Sequence, residues 1–472
     1  MKLKDPAIRG YSRLMWMRQI LGTVLATLPV LFVRCASVSP KRAYTDVASR
    51  VEQRGAKAPP WDTLTPEDAT VGLRVRALLQ QPLTLDGAVQ VALLKNRRLV
   101  AVYQSLGVAQ AELVQAGLLA NPTFGGSIGF PLRGSPHTAL MGSITENFLN
   151  LFALPLRKRL AARQLEQAKL QVGAAVMEMN ADVQEAFYRA QAAQQRTDLW
   201  RTLVSAEGAS SELASRQYRA GNISELEESS RQASYEQMRL ELTRAENEAL
   251  DAREALNRLM GVWGGDTAWK AAGSLPGLPP FEGHLEQLES LAVGQRMDLA
   301  AAHAETEATL QTLQLVSGTR FLTSLGVGIQ AERDSEGNKL AGPTVSLELP
   351  LFDQHQAQVA RLAANARFTR AQEEALEVDI RSQVRGAQNH LLASRVVVEH
   401  YRSVLLPLRA RIVALSQRHY NAMLLGVYGL ILAKQNEVNA ARDYIDAVRD
   451  YWVARSELER AVGGRLSSQR TP

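Results

Sequence analysis

From Leu156 to Gln217 the chain runs 62 residues without a proline and with 13 alanines, and this run constrains the fold more than any other. Apolar residues such as Leu160, Leu165, Ala168, Val172, Val176, Met179, Val183, Phe187 and Ala190 recur at three- and four-residue steps, the spacing of one helix face. A single helix of that length reaches roughly 93 Å, far beyond a typical globular helix. Such a rod cannot bury its stripe on itself. It needs partners of equal length beside it.

The preceding residues begin to supply them. Thr84 stands at an N-cap position before Leu85, Ala88, Val89, Ala92 and Leu93, so a helix is expected from about 83 to Gly117, closed by Asn121-Pro122. The period then changes from helical to alternating. Phe124, Ile128 and Phe130 alternate with Thr123, Gly125, Ser127 and Gly129, which predicts a strand over about 122–131. Beyond Arg133-Gly134-Ser135-Pro136, Leu140, Ile144 and Phe148 oppose Met141, Ser143 and Thr145, a second strand over about 138–149. The long helix, 156–217, follows Leu154-Pro155-Leu156 and ends at Tyr218-Arg219-Ala220-Gly221-Asn222, with glycine where a left-handed residue is required. Ser224 then caps a shorter helix over 224–260.

A glycine- and proline-rich connecting segment, 262–282, separates this unit from a second one with the same order. The second unit gives a helix over about 284–316, strands over about 320–332 and 342–351, a long helix over 356–419 and a shorter one over 427–462. Leu349-Pro350-Leu351 echoes Leu154-Pro155-Leu156, and Tyr218 to Gly261 spans 43 positions, as does Tyr420 to Gly463. The reading is an internal duplication, 83–261 and 283–463, with a short tail at 464–472. In each unit the two shorter helices add up to about the length of the long one, so they stack into one composite rod. Pro407 departs from the symmetry and is expected to kink the second long helix.

The start of the chain has another character. Residues 1–34 carry +5 of the formal net charge of +6 and include an apolar run from Ile20 to Val33. Fourteen residues suit the core of a signal peptide and fall short of the about 20 that a spanning helix needs. The remainder is nearly neutral, which excludes the basic footprint of a nucleic-acid binder. Cys35, the only cysteine, follows directly, so no internal disulfide or paired-cysteine metal site exists. Its position resembles that of the lipid-modified cysteine of a bacterial lipoprotein, although Arg34 stands where such signals place a small residue. Residues 35–82 are expected to form an extended leader.

Four alternating segments of this length match strands that cross an outer membrane. The lipid-facing set is then Phe124, Ile128, Leu140, Ile144, Leu325, Val327, Val345 and Leu347, and the lumen-facing set is Ser127, Ser143, Ser324, Gln330, Ser346 and Glu348. Four strands cannot close around a lumen, because barrel width grows with strand number. Several copies must therefore share one barrel. The competing reading is a periplasmic coiled-coil lipoprotein acting as a spacer or adaptor, with the strands forming a soluble hairpin sheet.

The order of elements, together with Leu83-Thr84-Leu85, Ala120-Asn121-Pro122, Tyr218-Arg219-Ala220-Gly221, Leu349-Pro350-Leu351-Phe352 and Ala454-Arg455-Ser456-Glu457-Leu458, resembles the TolC-type outer-membrane efflux channel family over about residues 83–463. The resemblance implies a mixed α/β membrane protein, a homotrimer with a 12-stranded outer-membrane β-barrel above a long periplasmic α-helical barrel. It implies a passive exit duct for small molecules or ions, served by a periplasmic adaptor protein and an inner-membrane pump, with no cofactor. The periplasmic turns, which meet the adaptor and close the pore, map to Tyr218, Gly221, Asn222 and Glu225 and to Tyr420, Met423, Leu425 and Tyr428. In the second turn Met423 occupies the glycine position and Leu425 stands where an arginine is found in the family. Glu225, Glu227 and Glu228 either make this end acidic or serve as an ordinary helix start favoured by the dipole.

Two motifs imitate enzymes. Gly125-Gly126-Ser127-Ile128-Gly129 has the spacing of a nucleophile elbow, and Gly326-Val327-Gly328-Ile329-Gln330-Ala331 that of a dinucleotide fingerprint. Each lies inside an alternating strand with no helix opening after it, so neither has the turn its chemistry needs. Histidines 137, 284, 303, 355, 390, 400 and 419 show no metal-ligand spacing. Neither catalysis nor a resident metal is expected.

Overall fold

The computed structural model describes residues 38–58, 69–130, 138–282, 285–321 and 324–466. The chain divides into compact units at Ser39/Pro40. The expected signal segment, Cys35 and the turn at 131–137 lie outside the described residues.

Helix α1 is Lys41–Gln53, α2 is Ala69–Gln80, α3 is Leu85–Lys95 and α4 is Arg97–Ala116. Strands β1 (Thr123–Gly129) and β2 (Ala139–Asn147) lead into α5, Leu149–Arg219, which is 71 residues long. Helix α6 is Glu225–Met260. The second series is α7 (Leu288–Gln295), α8 (Met297–Thr319), β3 (Leu325–Arg333), β4 (Lys339–Leu347), α9 (Gln356–His400), α10 (Leu406–Asn421) and α11 (Val427–Val462).

Four expectations need correction. The leader is not wholly extended: in α1, Ala43, Tyr44, Val47 and Val51 recur at helical spacing and are buried, with the Tyr44 ring 5.2 Å from that of Tyr103. The helix expected over 83–117 is two helices, because Asn96 takes an extended conformation and caps the second; its Oδ1 accepts from Arg98 N–H (2.9 Å) and Leu99 N–H (3.1 Å). The helix expected over 284–316 breaks likewise at Arg296. At Pro407 the expected single helix, 356–419, is interrupted. A π-turn at Tyr401–Leu405 precedes it, so the proline falls in the first turn of α10, where its missing N–H is tolerated.

Both breaks sit against a helix end. Gly261 (φ +67°) follows α6, and a Cβ there would lie 2.7 Å from the Lys95 carbonyl oxygen. Gly463 (φ +80°) follows α11, and a Cβ there would lie 2.9 Å from Arg296 Cγ. Only glycine fits these two contacts. Thus α4 meets α6 end to end, and α8 meets α11, forming two composite rods. Helix α5 packs between them, and α9 packs on the far side of α8 and α11. The row of four rods stays open at α4/α6 and at α9/α10.

The connector 262–282 crosses the row. Leu83 pairs in parallel with Ala271, and Gln191 of α5 donates to the Ala272 carbonyl at 2.9 Å. Glu282 is 7 % exposed and holds Arg395 of α9 at 2.5 Å and Arg455 of α11 at 2.7 Å, while Tyr451 O–H donates to it. A buried carboxylate is stable only with such partners.

Candidate channel wall and helical turns

The sheet has the order β1-β2-β3-β4, antiparallel throughout. Residues paired across an antiparallel ladder share a face. Phe124 pairs with Ile144 and Ile128 with Leu140; Ile144 pairs with Ile329; Leu325 pairs with Leu347 and Val327 with Val345. All eight residues of the expected apolar set therefore lie on one face, joined by Ile329. Much of that face is bare: Phe124 is 78 %, Ile329 68 % and Val345 70 % exposed. Charges mark its two ends, Glu146 toward the helices and Arg333 and Lys339 beside the β3–β4 turn.

Ser127, Ser143, Gln330 and Ser346 lie on the opposite face, which also carries Gly125, Gly326, Gly328, Thr145 and Thr344. Ser324 and Glu348 continue it just beyond the strand ends, where Glu348 N–H donates to the Ser324 carbonyl at 3.4 Å. The strands crowd together on this side. A Cβ on Gly328 would lie 2.3 Å from the Ile144 carbonyl oxygen. Glycine on this face permits that close approach.

The free edges follow from the ladder. Phe148 N–H donates to the Leu325 carbonyl (2.9 Å) and Glu348 N–H to that of Ser324, which fixes the hydrogen-bonded pairs along each ladder. By alternation, the backbone groups of Phe124, Gly126 and Ile128 point away from the sheet at the β1 edge. Those of Ala341, Pro343, Val345 and Leu347 do so at the β4 edge. Pro343, lacking an N–H, sits where no internal bond is lost. The two edges run antiparallel and present residues of the same face, so they are complementary to each other.

On α5 the row Glu178, Asp182, Glu185, Arg189 and Arg196 recurs at helical steps on the side opposite Asn180 and Gln191, which bond Lys57 and the connector. On α11 the row Asp446, Asp450, Glu457 and Arg460 is likewise opposite Tyr451 and Arg455. The rows interlock: Arg460 reaches Asp182 (2.9 Å) and Glu178 (3.3 Å), and Arg196 reaches Asp446 (3.2 Å) and Glu248. A cavity of about 790 Å³ opens where α8 meets α11, with Met177, Glu178, Asp298, His390, Glu457 and Arg460 in its wall.

At the far end of the rods the two turns share one bonding pattern. Ala220 N–H donates to Arg216, Gly221 to Tyr218 and Asn222 to Gln217; Ala422 donates to Arg418, Met423 to Tyr420 and Leu424 to His419. Gly221 is left-handed at φ +72° and Met423 at φ +58°, with Met423 95 % exposed. Ser224 Oγ accepts from Glu227 N–H at 3.3 Å, so Glu225, Glu227 and Glu228 occupy a capped first turn. Leu425 curls over Gly429, where a Cβ would meet its Cδ1 at 2.6 Å.

Tyr428 is the one expected residue that joins the two hairpins. Its O–H donates to Gln217 Oε1 (2.9 Å), and the Arg231 guanidinium lies 4.0 Å above its ring. Sequence reasoning missed its partners. Gln435 Nε2 donates to buried Glu207 at 2.8 Å, and Arg442 lies 5.9 Å from the Trp200 ring. The signal was present: positions 428, 435 and 442 are seven apart, a seam period.

Among the described residues no group of three or more His, Cys, Asp or Glu side chains is arranged to hold a metal. No described helix is long and apolar enough to cross a membrane.

The profile of the family described as outer membrane efflux protein matches residues 88–262. The cobalt-zinc-cadmium resistance protein CzcC of Cupriavidus metallidurans is 28 % identical over 333 residues, covering 69 % of this chain and 77 % of the relative. The CmeC outer membrane channel of Campylobacter jejuni superposes with a TM-score of 0.71 at 15 % identity, over 82 % of this chain and 87 % of that one. A membrane protein of Pseudomonas aeruginosa superposes with a TM-score of 0.68 at 20 % identity, over 80 % of this chain and 92 % of that one. With the two-faced sheet, the row of long rods and these likenesses together, the chain has the fold of the outer membrane efflux channels, and residues 88–262 match the outer membrane efflux protein family.

Proposed function

We propose that three copies of this chain close into one passive exit duct: a 12-stranded barrel in the outer membrane, continued by a tunnel of 12 rods across the periplasm. The observation that carries this reading is the pair of complementary open edges. Free β1 and β4 edges are antiparallel and match in face, and the row of rods is open at both ends as well. Unpaired strand edges and bare apolar faces are not stable alone. In the trimer the apolar face meets lipid, the polar face lines the pore, and the charged rows of α5 and α11 line the tunnel. The two halves of the chain are the products of a duplication, and residues 1–34 and Cys35 act as signal peptide and lipid anchor.

An inner-membrane pump drives transport, and a periplasmic adaptor docks at the turns around Gly221 and Met423, which hold the resting pore narrow. The likeness to a cobalt-zinc-cadmium resistance protein and the mixed, carboxylate-rich tunnel rows favour metal cations as cargo. Purified protein is expected to run as a trimer in detergent and to form conducting pores in planar bilayers. A monomer that stays in solution without detergent would sink the reading, and would favour the spacer.

A further inference from the structure

The junction between sheet and rods has a layered chemistry that barrel closure does not explain. Contacts between antiparallel helices put three elements at one level. Arg163 of α5 meets Glu307 of α8 (3.4 Å), and His303 of α8 meets Glu373 of α9 (2.7 Å). Counting along the helices from these contacts, the end of α8 lies level with the starts of α5 and α9. At that level the side chains are aromatic and bare: Phe152 is 73 %, Phe352 93 % and Phe321 58 % exposed. Arg320 stacks on Phe321, its guanidinium 4.4 Å from the ring centre.

About 10 Å further from the sheet, the first charges of both long helices are basic. They are Arg157, Lys158 and Arg159 on α5 and Arg361 on α9, of which Lys158, Arg159 and Arg361 are exposed. Neither helix has an acid in its first turn, where the dipole would favour one. The acids at this level are Glu146, Glu348 and Asp353; Glu348 lies on the polar face of the sheet, away from the apolar band, and Asp353 is engaged by His355 N–H at 2.8 Å. Both helices start at the sheet, and side chains lean toward a helix N-terminus. Long basic side chains here therefore lean toward the apolar band and reach its boundary.

We propose that this collar binds the headgroups of anionic phospholipids in the leaflet that faces the rods. The order apolar band, aromatic ring, cationic ring matches hydrocarbon, interface and phosphate in sequence. The charge sign selects the lipid. The far end of the band also has cations, Arg333 and Lys339, but only one exposed aromatic among the described residues, Phe130, against three at the junction. This inference rests on the barrel reading above, and its test separates the two.

The full chain is reconstituted in vesicles containing spin-labelled phosphatidylglycerol or spin-labelled phosphatidylcholine, and the immobilised fraction of each is measured. The collar predicts about a two- to five-fold preference for phosphatidylglycerol, falling as salt is raised. Replacing Lys158→Gln, Arg159→Gln and Arg361→Gln together removes the preference, and Arg333→Gln with Lys339→Gln leaves it. Equal immobilisation of both lipids by the unmodified chain, which needs no variant to fold, overturns the proposal. So does a preference that survives the collar substitutions. Immobilised lipid without preference leaves the barrel standing, whereas no immobilised lipid of either kind overturns both.

Discussion

The two helical hairpins close on the same three hydrogen bonds with different residues, and the difference separates a self-sufficient hairpin from a dependent one. The first has Gly221 at its left-handed position, Ser224 as a side-chain cap and three glutamates in the turn that follows. The second has Met423 left-handed, Gly426 with no side chain to cap, and no acid in the first turn of α11. Higher up, α5 runs without a proline from Leu156 to Arg219, whereas α9 and α10 are joined through a π-turn and Pro407. What the second hairpin lacks internally it takes from α5, through Gln217, Glu207 and Arg196. A hairpin held by its neighbour is the part expected to move when the neighbour lets go.

The harshest test of that contrast lies where the connector meets each half. The second half hangs on one buried carboxylate, Glu282, gripped by Arg395 and Arg455. The first half is held by several weaker contacts. Arg253 donates to the Thr267 carbonyl (2.6 Å) and stacks on Trp269 (4.5 Å), and Trp269 Nε1–H donates to Asn257 Oδ1 (2.7 Å). Glu282→Ala removes the shared buried partner of two guanidinium groups, leaving Arg395 with Glu399 and Arg455 with Glu459, and is expected to cost about 3 kcal/mol. Arg253→Ala should cost about 1–2 kcal/mol, because its acceptors keep access to other donors. Denaturant midpoints of the two variants give the comparison directly. Equal losses would mean that both halves are anchored alike.

The turns give the next effect. Gly221→Ala places a Cβ at φ +72° and should destabilise the first hairpin by about 1–2 kcal/mol, while Met423→Gly relieves roughly 1 kcal/mol in the second. Opposite signs in hydrogen-exchange protection of the two turns are expected. If both substitutions weaken their turn, Met423 is held by a contact that outweighs its backbone cost.

The faces of the strands were legible in the sequence because of the period of two, whereas their ends were not: the strands expected over 320–332 and 342–351 are Leu325–Arg333 and Lys339–Leu347. Alternation assigned Phe124, Ile128, Leu140, Ile144, Leu325, Val327, Val345 and Leu347 to one face, and the ladder registers place them together. The long rods were legible for the same kind of reason, since sixty residues of one period leave little choice. The breaks at Asn96 and Arg296 were not, because each depends on a glycine about 165 residues away in sequence, Gly261 and Gly463. Helix α1 was hidden by its Pro- and Arg-rich surroundings, although Ala43, Tyr44, Val47 and Val51 already spell its buried face. The polar seam between α5 and α11 needed the structure to show which helices touch; Glu207 looks like any surface glutamate until Gln435 is set against it.

The seam itself predicts a smaller change in stability with a visible consequence. Tyr428→Phe removes the hydroxyl bonded to Gln217 and keeps the ring under Arg231. The loss is about 0.5–1.5 kcal/mol, little for the fold as a whole. If the second hairpin leans on α5, that loss should appear as a higher conductance of the resting channel in bilayers. An unchanged conductance would show that the seam does not govern the opening.

The smallest effect is a pH dependence confined to the second half. His303 on α8 hydrogen-bonds the Glu373 carboxylate of α9 at 2.7 Å, with Glu307 on its other side at 3.5 Å. The hydrogen bond to Glu373, opposed by burial and helped by the two carboxylate charges, holds the imidazolium above the ordinary histidine range. A group whose pKa is raised on folding lends its full stabilisation below its unfolded value, near 6.5. That contribution fades as pH rises through the raised folded value. The α8–α9 contact is therefore tighter in mild acid and looser above neutrality. His303 is 62 % exposed at its side chain, so solvent screens the pair and the shift in melting temperature should be small. His303→Gln should flatten the pH profile of that shift without lowering the temperature measured above neutrality. A profile that keeps its slope would place the titrating group elsewhere, with the Asp298–Arg296 pair of the same helix the next to test.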